Sequence, residues 1–153
     1  MAKQYKKSSE NNSEAYNQLI GVDGTVPPQA VELEQAVLGA LMLEKDAIID
    51  VQEYVKVETF YLEEHRTIFK AIQDLSFEMK AIDLYTVSER LKAQKELQKV
   101  GGAAYLAELT QKVASAAHIE FHAKIIAQKF VQRELIRSAT EIQRRSYDEE
   151  IDV

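Results

Sequence analysis

The sequence predicts an all-α chain: a compact orthogonal bundle of about five or six helices that ends in one long projecting helix. Three observations carry this expectation. Apolar residues recur at three- and four-residue steps through most of the chain, the pattern of helices with one buried stripe. Capping acids and hydroxyls, prolines and a glycine pair fall between those stretches, where helices start and stop. The 153 residues include only five glycines and two prolines, with no tryptophan and no cysteine. That is too few turn formers for a sandwich, a propeller or a Gly-rich cofactor fold.

Residues 1–26 are rich in Ser, Asn, Gln and Lys without sustained periodicity and read as a disordered N-terminal arm. Order begins at Pro27-Pro28, with Pro28 placed to occupy a first helical turn. A helix over about Gln29 to Leu43 follows, its stripe running through Ala30, Leu33, Val37, Ala40 and Leu41. Leu38 and Met42 widen that stripe, so burial on more than one side is expected, and the pattern alone leaves open which face is the core face. Asp46 suits the N-cap of a short helix over Ala47 to Val55. Val57 to Tyr61 is too short for a helix and reads as a tight turn whose aromatic pair plugs the core.

From near Leu62 a longer helix carries His65, Ile68, Phe69, Ile72, Leu75 and Met79 on one stripe, with Glu63, Glu64, Arg66, Lys70 and Asp74 on the wet side. Thr86-Val87-Ser88-Glu89 has the form of a capping box and announces a helix to about Leu97. Gly101-Gly102 breaks the chain before a short helix, Ala103 to Lys112, with Leu106 and Leu109 inward. Ser115 is placed to cap the last helix, Ala116 to about Tyr147.

That last helix changes sides. Ile119, Ala123, Ile126 and Phe130 share one face, whereas Val131, Leu135, Ala139 and Ile142 share a face roughly opposite, at about 100° per residue. The first half is therefore expected to pack on a globule spanning 27–130. The second, within 131–153, presents an apolar stripe awaiting another helix.

The formal charge of −6 disfavours a polyanion-binding surface. Its distribution is uneven: nine acids face two lysines between Ala30 and Glu64, whereas six basic residues outnumber three acids between Glu120 and Arg145. Such polarity suits pairing with another protein. Lys124, Lys129, Arg133, Arg137, Arg144 and Arg145 support at most weak, salt-sensitive DNA contact. The longest apolar run, Val37 to Leu43, is far too short to span a bilayer, the N-terminus has no signal-peptide core, and the lack of cysteine fits a reducing cytoplasm.

No catalytic, cofactor-binding or metal-binding residue is expected. His118 and His122 stand four apart on one helix face, but Glu120 points away from both and no cysteine completes a zinc site, so they read as surface histidines. His65 reads as a packed or capped helix histidine, with no nucleophile to serve. The five glycines never approach a phosphate-cradling Gly-x-x-x-x-Gly-Lys-Ser/Thr loop.

Several strings, in order and spacing, resemble the N-terminal domain of the bacterial replicative DNA helicase of the DnaB family. They are Pro27-Pro28-Gln29-Ala30-Val31-Glu32-Leu33-Glu34-Gln35-Ala36-Val37-Leu38-Gly39-Ala40; Phe60-Tyr61 with His65 and Ile68-Phe69; Ile82-Asp83-Leu84 with Thr86; Gly101-Gly102-Ala103-Ala104-Tyr105-Leu106-Ala107-Glu108-Leu109; and Ala116-Ala117. Each alone is a helix with a cap; together they span most of the chain.

The resemblance implies a non-catalytic assembly domain of a ring-shaped hexamer that unwinds DNA, with ATP and Mg bound by a separate C-terminal RecA-like domain. It also implies that the outer half of the last helix is the first arm of a helical hairpin. Hairpins of this family pair subunits into a collar, and the collar docks the C-terminal domain of primase. The positions matching the primase-contacting surface are Glu32, Tyr105, Ile136 and Ile142. Those matching the self-association surface are Val131, Leu135, Ala139 and Ile142. A helicase loader or initiator is a further expected partner. The rival readings are the helicase-binding domain of primase, which the Pro27-to-Gly39 opening disfavours, and a generic helical interaction module.

Overall fold

In the computed structural model, which describes residues 25–113 and 116–148, every regular element is helical. The order is α1 (Val31–Leu43), α2 (Ala47–Val51), a 3-10 turn at Val57–Thr59, α3 (Glu63–Phe77), α4 (Leu84–Ala93), α5 (Gly102–Gln111) and α6 (Ile119–Ser146), with no strand among the described residues. They fall into two units. One spans residues 29–131; the other holds 25–28 and 132–148. The arm expected over residues 1–26 lies almost entirely outside the described residues, as does the expected cap Ser115.

Within the larger unit α1 is the central element, and both of its candidate faces are core: Val37, Leu38, Leu41 and Met42 are all buried, while Leu33 is half-buried. Residues from α3 (Ile68, Phe69, Ile72, Leu75), α4 (Val87, Leu91), α5 (Leu106, Leu109) and the first half of α6 (Ile119, Ala123, Ile126) complete the same core. Closest approach to α5 occurs at Gly39. A Cβ there would overlap the Leu109 carbonyl oxygen and stand 2.7 Å from Val113 Cγ2, so only a hydrogen fits between these helices.

Several local expectations need correction. Helix α1 starts at Val31, with Ala30 in the N-cap position, so Pro28 precedes the helix rather than filling its first turn. Asp46 does precede α2, but its side chain makes no capping bond and the helix stops at Val51. Of the Phe60–Tyr61 pair only Phe60 is fully buried, its ring 4.8 Å from that of Phe69; Tyr61 is half-buried.

The capping box of α4 is built one turn earlier than the sequence pattern suggests. Asp83 is the N-cap: its carboxylate accepts from the Thr86 backbone N–H at 2.8 Å, while Thr86 Oγ1 accepts from the Asp83 N–H at 3.0 Å. Thr86 supplies the returning oxygen that a Glu usually supplies, and the charged Asp83 is the better partner for the helix N-terminus.

Met79 is almost fully exposed instead of lying on the α3 stripe, because α3 has already ended. It takes the left-handed conformation, φ 53°, while its own N–H donates to Ser76 O and the Lys80 N–H reaches back to Leu75 O at 2.9 Å. This double closure is a Schellman motif, repeated after α4 with Lys95 at φ 60° and Glu96 N–H donating to Leu91 O.

Just past α3, Glu78 accepts two bonds from the Arg90 guanidinium of α4, at 2.8 and 2.6 Å, with Lys80 on the same carboxylate. Arg90 and then Lys80 pull the Glu78 carboxyl from its ordinary 4.5 down to about 2. A depressed native pKa contributes stability that is complete above the unfolded value and is lost as pH falls through the folded one.

Two predictions follow from this packing. Gly39→Ala should destabilise despite a helix-propensity gain of about 1 kcal/mol, because an overpacked contact costs about 1–3 kcal/mol; urea denaturation checks the sign. Lowering the pH from about 4.5 to 2 should cost the native chain more thermal stability than it costs Arg90→Gln, whose melting curves should be flatter across that window.

Candidate partner interface

Helix α1 places one carboxylate on its buried face. Glu34 is three and four residues before Val37 and Leu38, so it points where they point, and it is only 1% exposed. A buried carboxylate must be met by donors. The Tyr61 backbone N–H, just after the 3-10 turn, reaches Glu34 Oε1 at 2.6 Å, and His65 Nδ1 in the first turn of α3 lies 2.6 Å from Oε2.

His65 is itself fully buried, and its other nitrogen, Nε2, lies 2.8 Å from the Tyr105 hydroxyl of α5. The two rings are nearly parallel, 4° apart with centroids 6.2 Å distant. Gln35 Nε2 donates to the same hydroxyl at 3.3 Å. One assignment of hydrogens satisfies the whole chain: Gln35 donates to Tyr105, Tyr105 to His65 Nε2, and His65 Nδ1–H to Glu34. No buried side-chain polar atom among the described residues is left without a partner.

This network leads to the surface. Lys112 Nζ is 3.4 Å from Gln35 Oε1 and 2.7 Å from Glu108, whose carboxylate, with smaller help from Tyr105 and Glu32, raises the lysine pKa. Glu32 and Tyr105 thus both act on one lysine, and Gln35, one helical turn after Glu32, donates to the Tyr105 hydroxyl. Glu32 is exposed and Tyr105 half-buried. Tyr105 also rests against Gly101, at φ 107°, where an added Cβ would come within 2.8 Å of Tyr105 Cβ. The glycine serves the turn and seats the tyrosine.

The other candidates stand on the second half of α6. Val131, Leu135 and Ile142 are exposed by 54%, 65% and 66%, Ala139 is exposed as well, and Ile136 is exposed by 41%. An unbroken helix thus carries a buried stripe through Ile126 and a run of exposed apolar residues from Val131 onwards. Charges on this half are largely paired within the helix, Arg137 with Glu134 and both Arg144 and Arg145 with Glu141. Arg133 donates to the Pro28 carbonyl oxygen at 2.8 Å.

The rings of His118 and His122 are 6.5 Å apart, and no group of three or more potential metal-ligating residues occurs among the described residues. No helix there is long and apolar enough to cross a membrane.

The family model described as the DnaB-like helicase N terminal domain matches residues 26–128. This chain belongs to that family. It is 49% identical over 125 residues to the replicative DNA helicase DnaB of Rhodothermus marinus and 42% identical over 130 residues to that of Geobacillus stearothermophilus. Those matches take in 82% and 84% of this chain but only 13% and 29% of the relatives' length.

Among solved structures, the crystal structure of the N-terminal domain of DnaB helicase from Mycobacterium tuberculosis superposes with a TM-score of 0.80 at 37% identity, covering 82% of this chain and 89% of that one. A structure of a DnaB-like replicative helicase and its interactions with primase gives 0.68 at 28% identity, covering 76% of this chain and 27% of that one. The solved N-terminal domain thus shares the all-helical fold of this DnaB-family chain over most of its length.

Sequence reasoning missed the Glu34–His65–Tyr105 relay of this DnaB-family domain, although a signal was present: Glu34 occupies a core-face position of α1 and His65 one of α3. Two polar residues on core stripes must find partners, and here they find each other. We predict that His65→Ala, which leaves one oxygen of the buried Glu34 carboxylate without its donor, lowers unfolding free energy by about 1–3 kcal/mol. Adding Glu34→Gln should recover part of that loss, because a neutral amide costs less to bury; equilibrium denaturation measures both.

Proposed function

We propose that this chain is the non-catalytic docking and assembly domain of a replicative, ATP-dependent DNA helicase of the bacterial cytoplasm. The observation that carries this reading is the exposed apolar run on α6, Val131, Leu135, Ala139 and Ile142, in a chain of this family. Apolar side chains at helical spacing and open to water are a surface for another helix. Residues 131–153 act as the first arm of a hairpin, and that stripe is covered when the second arm and neighbouring subunits assemble the hexameric collar.

Glu32, Tyr105, Ile136 and Ile142 contact the C-terminal domain of primase. The structural relative described together with its interactions with primase supports this partner. That Glu32 and Tyr105 both act on Lys112 supports a shared surface for two of the four. DNA unwinding, with ATP and Mg, belongs to the C-terminal domain of the parent protein; this domain adds at most weak DNA contact and offers a site to a loader or initiator.

Calorimetric titration with the C-terminal domain of primase from the same organism tests the reading. Glu32→Arg and Ile136→Asp, both at exposed positions, should each weaken binding by about 1–3 kcal/mol without changing the fold. If neither this chain nor one extended by a second hairpin arm binds, the docking role is wrong.

A further inference from the structure

The buried Glu34–His65 pair reaches the surface through a single side chain, Tyr105. That residue is half-buried and is bonded by Gln35, one helical turn after Glu32, on the face to which primase docking is assigned above. Its hydroxyl is tied at 2.8 Å to His65 Nε2 and at 3.3 Å to Gln35, and the lack of a side chain on Gly101 leaves room for its Cβ and Cγ.

His65 cannot drift. It is 0% exposed, packed on the α3 stripe, and its Nδ1 is anchored at 2.6 Å on a Glu34 carboxylate whose other oxygen is fixed by the Tyr61 backbone N–H. Every link of this relay is a hydrogen bond between groups on different elements: α1, the segment after the 3-10 turn, α3 and α5. The relay ends on an aromatic residue with a polar tip, the type that interfaces favour because it presents a large area at small conformational cost.

We infer that His65, backed by Glu34, is a positioning residue for partner binding: it locks Tyr105 into its binding orientation before the partner arrives. This rests on the docking role proposed above. A contact side chain already held in its bound rotamer loses no freedom on association, and holding one such side chain is worth roughly 2- to 12-fold in affinity. His65 touches no partner; its whole effect on binding passes through the Tyr105 hydroxyl.

Two conservative variants separate this role from a merely structural one. In His65→Gln the side-chain amide ends near the place of Nε2, so the tie to Tyr105 is kept and the bond to Glu34 is weakened. In His65→Asn the amide ends near Nδ1, so Glu34 keeps its partner and Tyr105 is released. Titration against primase of the same organism, with circular dichroism confirming the fold at the working temperature, should show near-native affinity for His65→Gln and a loss of roughly 2- to 12-fold for His65→Asn.

Tyr105→Phe, which leaves the core pair intact, should lose about as much as His65→Asn, and the double variant should lose no more than either alone. Equal affinities for His65→Asn and the native chain, or additive losses in the double variant, overturn the positioning role while Tyr105→Ala still weakens binding. If Tyr105→Ala binds as the native chain does, the docking surface itself is misassigned and the positioning role falls with it.

Discussion

A carboxylate taken out of water has to be surrounded by donors, and the arrangement of the larger unit follows from meeting that demand for Glu34. Helix α1 is buried on two faces, so one of its acids ends up in the core. The backbone after the 3-10 turn supplies one donor, α3 supplies the imidazole of His65, and α5 continues the chain through Tyr105. Three elements distant in sequence are thereby registered to one point. Apolar packing alone, being non-directional, would leave their relative rotations less sharply defined.

The same region shows how the helices come close enough for such short bonds. At Gly39 α1 and α5 approach until only a hydrogen fits, and the Gly101-Gly102 pair, both residues at positive φ, lets α5 begin abruptly with Tyr105 in its first turn. Two non-glycine residues, Met79 and Lys95, take left-handed conformations to end α3 and α4. Closing these helices with paired backbone bonds offsets the steric cost. Glu78 and Arg90 then join the end of α3 to α4 with a bidentate bond, the geometry in which a surface ion pair contributes most.

Surface character separates along the chain. Residues 29–131 hold a satisfied core from which a polar relay reaches Tyr105, whereas the second half of α6 keeps large apolar side chains in water. A buried interior gains nothing more from the latter, so their benefit lies in association. The two surfaces differ in character: one is polar and tied to the core, the other apolar and helical.

The sequence by itself determined the elements, because periodicity and caps are local. The helices around Leu38, Phe69, Leu106 and Ile126 and the change of stripe after Phe130 are legible in residue spacing, and the strings from Pro27 to Ala117, taken together, identify the family. Where two local signals competed, the sequence alone chose wrongly: Thr86 looked like an N-cap until Asp83, three residues earlier, was seen to fill that position. Only tertiary structure decided that both faces of α1 are core, that Met79 is outside it, and that Glu34, His65 and Tyr105 are one unit. Those three lie 31 and 40 residues apart, and no local pattern encodes a bond across that separation. A hydrogen-bonded relay exists only after helices have packed, since it is the packing that removes water and makes each donor need its acceptor.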